Sequence, residues 1–179
     1  MAIRTGIYAA AIAAVATLTV FAEPASAQSN ESVDAKRDWS IFKQGAGASR
    51  QCWIVSQPVT KTADRGGNPV SVKRGDIFLM VSVRPGEQVK NEVSYVSGYP
   101  FKPGGSVTMT IGGSKFELFT EGEGAWTDSA DSDDKLVAAM RRGANAVLTG
   151  QSSRGTQTTD TFSLLGFTAA LNEARTLCK

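Results

Sequence analysis

The sequence has no histidine among its 179 residues. That removes imidazole as general base, metal ligand and switch near neutral pH, and with it every His-dependent catalytic triad. Cysteine is scarce: two residues, with no Cys-x-x-Cys pair. An excess of one charge is missing too. Lys and Arg number 19 against 17 Asp and Glu, a net charge of +2. A dedicated polyanion binder would be strongly basic, so no nucleic-acid partner is expected. Beyond residue 21 no apolar run approaches the roughly 20 residues of a membrane span. What remains is 41% hydrophobic and 20% charged, at a length that suits one domain.

The first 27 residues read as a secretory signal peptide. Arg4 supplies a positive start, residues 7–21 are mostly apolar, and Ala25-Ser26-Ala27 follows the helix breaker Pro24 as a small-x-small cleavage site. No cysteine near that site could carry a lipid anchor. The competing reading is an uncut N-terminal anchor, disfavoured because small Ala-rich segments insert weakly. Cleavage would start the mature chain at Gln28 and, by removing Arg4 and Glu23, leave its charge unchanged.

Export carries the two cysteines into an oxidising compartment, so Cys52 and Cys178 are expected to form a disulfide. Closing so long a loop is worth about 4–5 kcal/mol in the chain-entropy description. The bridge would tie the C-terminal segment to an early strand. A redox or metal pair is the alternative, but nothing supplies a second thiol pair or an imidazole.

Residues 28–38 are polar and without period, and read as a flexible leader. From Trp39 the chain looks like strands separated by turns. Asp76 to Arg84 is apolar almost throughout and predicts a strand buried on both faces. Val107 to Ile111 alternates apolar residues with Thr, and Gly112-Gly113 then leads to an expected hairpin partner from Phe116 to Phe119. Late strands are expected near 146–150 and 159–164, with a turn at Gly150 to Gly155. Two segments look helical. One spans about Asp133 to Arg142, capped by Ser132 or Asp131 and stopped at Gly143. The other spans about Thr168 to Leu177. The expected fold is therefore mainly β: a single β-sandwich or barrel-like domain over 39–179, with one or two short helices including a C-terminal one. Charge is uneven along it. Residues 36–115 hold 12 bases and 5 acids, while 116–134 hold 7 acids and no base. Such asymmetry can steer a partner, although loop solvation and a helix N-terminus explain the acids equally.

No complete catalytic or metal motif emerges. Asp131 and Asp133 alternate as calcium ligands would, but Lys135 and a missing glycine break the EF-hand pattern. Ser132 to Lys135 has Ser-x-x-Lys spacing, but so does Ser40 to Lys43, and the partner motifs of that chemistry are missing. No catalytic residue, metal ligand or cofactor is assigned. The large aromatics Trp39, Trp53, Trp126 and Tyr99 are the weak binding candidates, since such side chains anchor partners as well as cores.

A wider pattern joins these pieces. Trp39 is followed by Cys52-Trp53 and Ser56-Gln57-Pro58, then Val96-Ser97-Gly98-Tyr99-Pro100-Phe101. The Ile111-Gly112 to Phe119 pair, Ala125-Trp126 and Gly155-Thr156 come next. The end, Thr159 to Leu171 with its terminal Cys178, is the most specific part. From Trp39 onward the chain resembles the invasion-associated locus B family of exported bacterial proteins. The family is named for a locus linked to bacterial entry into host cells, yet it is widespread in bacteria that invade nothing. The resemblance implies a virulence-associated or general role at the cell envelope, and it brings no catalytic residues. The expected function is an exported binding protein, periplasmic, outer-membrane-associated or secreted, that supports host-cell interaction or envelope integrity. Its partner would be an envelope protein or a host-surface component, and after signal removal it would not span a membrane. A periplasmic hydrolase acting on cell-envelope material is the alternative.

Overall fold

The computed structural model of the chain describes residues 31–179, and the segment 1–27 read as a signal peptide lies outside them. The strands, in chain order, are β1 (Glu31–Lys36), β2 (Trp39–Gln44), β3 (Gln51–Ser56), β4 (Thr60–Arg65), β5 (Asn68–Pro69) and β6 (Phe78–Arg84). They continue with β7 (Val89–Val96), β8 (Ser106–Ile111), β9 (Ser114–Glu121), β10 (Gly124–Trp126), β11 (Asn145–Gln151) and β12 (Gln157–Ser163). Helix α1 (Ala130–Met140) precedes β11, and α2 (Phe167–Leu177) follows β12 near the end of the chain. All twelve strands join one sheet in the order β1-β2-β3-β6-β7-β10-β9-β8-β11-β12-β4-β5.

That order dictates a rolled sheet. β3 and β4 are consecutive in the chain but third and eleventh in the sheet. In a flat sheet eight strand spacings would separate them by about 38 Å. The three residues between Ser56 and Thr60 can bridge only about 15 Å. The sheet must therefore curl until β3 and β4 come close. Cross-connections agree: the indole Nε1 of Trp39 in β2 donates to the Ser163 carbonyl of β12 at 3.0 Å. The inner face carries the core, with Ile54, Leu79, Val81, Met109, Leu148 and Phe162 almost wholly buried.

Local sequence explains the elements. Val107, Met109 and Ile111 face inward and the intervening threonines outward. Gly112 and Gly113 take φ of 54° and 86°, which closes a two-residue hairpin with Ile111 opposite Ser114. α2 buries Phe167, Ala170, Leu171 and Ala174, a stripe of helical period that lies on β2 and β3. The ring of Phe167 meets Trp39 edge-on with centroids 5.0 Å apart.

Three expectations change. Residues 31–36, read as part of a flexible leader, form an edge strand paired to β2. Its side chains are mostly exposed on both faces, so its sequence shows no alternation; main-chain pairing, the packing of Val33 on the core and the Lys36–Glu173 ion pair at 2.9 Å hold it. The apolar run ending at Arg84 is not buried on both faces: Leu79, Val81 and Val83 are buried, while Phe78 and Met80 are half-buried outside. The outer residues shelter one another, since Met80 lies beside Val55, and Trp126 beside Phe119. Helix α1 begins at Ala130, capped by Ser129, whose Oγ accepts from the Ser132 amide at 3.3 Å. Asp133 is thereby free to leave the helix surface, accepting from the Val93 amide at 2.8 Å and the Thr127 hydroxyl at 2.7 Å. Burial raises its pKa despite these two donors.

Candidate functional site

Between β5 and β6 the chain runs through residues 70–77 without regular structure. This strap is pinned along its length. The Val70 amide donates to the Ala63 carbonyl at 3.0 Å, and the Gly75 amide to the Gly98 carbonyl at 2.9 Å. Gly98 has φ of 70°, and a Cβ there would sit 2.6 Å from the Gly75 oxygen, so the close approach requires glycine.

Arg74 is the third anchor. Its Nη1 and Nη2 donate to the two carboxylate oxygens of Asp160 at 2.8 and 2.6 Å. Its Nε and Nη2 also donate to the Ser97 carbonyl at 2.9 and 2.7 Å. The guanidinium carbon lies 5.0 Å from the centre of the Tyr99 ring. The Tyr95 hydroxyl donates to Asp160 Oδ2 as well. Burial opposes the charge on Arg74, but the hydrogen bond and attraction from Asp160 prevail and raise its pKa. Burial, then the negative charge of Asp160, holds the Tyr95 hydroxyl far above its ordinary range. Burial also raises Tyr99, whose hydroxyl shares a 2.6 Å bond with Thr158. Asp160 points inward because it shares strand parity with Phe162 and Thr158, all buried. Among the described residues no buried side-chain nitrogen or oxygen lacks a hydrogen-bond partner.

Beside this cluster opens a cavity of about 520 Å³, within the range of small-ligand sites. Its charged lining is Arg65, Lys73, Arg74, Arg154 and one acid, Glu123. Arg74 is neutralised by Asp160. Arg65 donates to the Thr156 hydroxyl, at 2.8 Å through Nη2. Lys73 and Arg154 are exposed and make no ion pair among the described residues. The loop Ser152 to Gly155 that carries Arg154 is a tight turn, with the Thr156 amide held by Ser152 Oγ at 3.1 Å. A second cavity, of about 600 Å³, shares the strap residues Ser71 to Arg74. A third, of about 630 Å³, lies against Asn91, Asp134 and Arg175, where Arg175 donates to Asn91 and Asn91 to Asp134.

The structure scatters the aromatic candidates. Trp39 is wholly buried with its indole N–H satisfied, so it cannot meet a partner. Trp53 lies half-buried on the outer sheet face, stacked on Phe42 at 5.7 Å. Trp126 lies on the same face against Phe119 at 5.9 Å. Of the four, Tyr99 alone reaches the cavity. Cys52 and Cys178 form the expected disulfide. The residues that sequence reading missed are Arg65, Lys73, Arg74, Arg154 and Asp160. Only Asp160 left a signal, an acid at the inward parity of a late strand. Among the described residues no three acidic or thiol side chains gather as metal ligands, and no helix is long and apolar enough to cross a membrane.

The family described as Invasion associated locus B (IalB) protein matches residues 39–175. No curated protein matches the sequence. The crystal structure of invasion associated protein B from Bartonella henselae is similar, with a TM-score of 0.54 and 19% identity over 80% of this chain and 96% of that one. At that identity the likeness is one of fold.

Proposed function

The chain belongs to the invasion-associated locus B family, and on that premise we propose that it is an exported cell-envelope binding protein whose partner engages the strap cavity. One observation carries this reading: Lys73 and Arg154 stand exposed, with no ion pair among the described residues, at a cavity whose floor is charge-neutral. A floor sealed by the Arg74–Asp160 pair positions a surface. The Cys52–Cys178 bridge supports export, since such a bond persists in oxidising compartments. The partner is an envelope protein or a host-surface component with negative charge to offer.

The test is affinity capture of the oxidised protein from crosslinked cell envelopes, run beside a Lys73→Glu, Arg154→Glu variant. A component recovered at near-equal amount by the parent and lost by the variant supports the reading. Equal recovery by both, or no component above background, overturns it.

A further inference from the structure

We infer that the strap cavity takes a carboxylate-bearing saccharide. The inference rests on the cavity being the binding site proposed above and adds the class of ligand. Two cations without an ion pair among the described residues, Lys73 and Arg154, line it with Arg65, whose guanidinium donates to a neutral hydroxyl. A ligand must bring negative charge to match them, and a planar carboxylate fits a guanidinium fork. Glu123 lines the same cavity and makes no ion pair among the described residues. Its carboxylate repels a second anion but accepts from hydroxyl donors, which favours a sugar over bare phosphate. Ser71 and Ser153 offer further hydroxyls. At about 520 Å³ the space suits one to a few sugar rings.

Isothermal titration calorimetry tests this with the oxidised protein and named probes: tri-galacturonate, glucuronate, N-acetylneuraminate, the methyl ester of tri-galacturonate and inorganic phosphate. At least one carboxylated saccharide is expected to bind saturably, one per chain, and more weakly as salt rises. Esterification should weaken tri-galacturonate about tenfold or more, because charge-assisted bonds are lost. Lys73→Gln and Arg154→Gln should each do the same to the acidic ligand while leaving the melting temperature in place, since both side chains are exposed. Phosphate binding as tightly as every saccharide, equal binding of the ester, or no binding by any carboxylated saccharide overturns the inference. A captured envelope component that depends on Lys73 and Arg154, with no saccharide bound, would sink the ligand class alone. Failure of the capture, whatever the calorimetry, would sink the binding reading itself.

Discussion

Arg74 and Asp160, 86 residues apart in sequence, meet through two parallel hydrogen bonds of 2.8 and 2.6 Å. The Asp160 side chain is wholly buried and that of Arg74 8% exposed. Through this pair an irregular strap is fastened to β12, and through the Ser97 carbonyl and Tyr95 hydroxyl to the β7 region. The cavity wall thus carries a buried ionic contact beside its main-chain anchors at Val70 and Gly75.

Removing one partner leaves the other charge buried without compensation. Asp160→Asn is expected to cost about 3–5 kcal/mol, as broken buried pairs do. Arg74→Met combined with Asp160→Leu removes both charges and should recover most of that loss. Urea denaturation of the parent, Arg74→Met, Asp160→Leu and the double variant measures the coupling. A double variant no more stable than Asp160→Asn would mean the two residues do not act as a unit.

The Tyr95 hydroxyl sets an alkaline limit. Burial, then the Asp160 charge, raises its pKa above the ordinary value of 10.0. The folded state therefore keeps a proton that the unfolded chain gives up. Stability from this group is complete below pH 10 and falls as pH climbs further, at about 1.4 kcal/mol per pH unit. Tyr99, raised by burial in the same direction, adds a share. Urea midpoints from pH 8 to 11.5 should drop less steeply for Tyr95→Phe than for the parent. Identical slopes would show that Tyr95 ionises as freely in the fold as outside it.

Legibility in the sequence followed burial. β8 could be read because Val107, Met109 and Ile111 alternate with threonine against a core. α2 could be read because its buried residues keep a helical spacing. β1 and β4 could not, because side chains such as Glu31, Lys61 and Thr62 face solvent and leave no alternating pattern. The disulfide followed from export logic and a count of two. Trp39 was mistaken for a binding candidate because a buried indole needs an acceptor, and that acceptor, the Ser163 carbonyl, lies 124 residues away. The cavity cations share this difficulty: Arg65, Lys73 and Arg154 come together only once the rolled sheet brings β4, the strap and the turn before β12 to one place.

Gly98 offers a way to disturb the strap alone. Its φ of 70° and the 2.6 Å that would separate an added β-carbon from the Gly75 oxygen both oppose a side chain. Gly98→Ala must therefore strain the backbone and push the strap away, costing on the order of 1–3 kcal/mol. Gly104 has the same φ of 70°, but nothing lies within 4 Å of its added carbon. Gly104→Ala should show the backbone penalty alone. Hydrogen exchange should quicken at the Gly75 amide in the first variant and not in the second. Matching exchange in both would mean the strap does not depend on the Gly75–Gly98 contact.

The bridge from Cys52 to Cys178 joins β3 to the residue that ends α2, across a sequence separation of 126. Both cysteines are buried, so neither single serine variant leaves a thiol on the surface. Each of Cys52→Ser and Cys178→Ser should lose the same cross-link, worth up to about 4–5 kcal/mol. The double variant should be no worse than either single one, and reduced parent protein should melt with it. Clearly additive losses would mean that each side chain matters through its own packing. The damage should also be local at first. Phe167, Ala170, Leu171 and Ala174 still hold α2 against the sheet without the bridge. Exchange should therefore rise earliest at the Cys178 amide, which donates to the Ala174 carbonyl at 3.1 Å, while the amide of Ala170, bonded to the Gly166 carbonyl at 2.9 Å, stays protected.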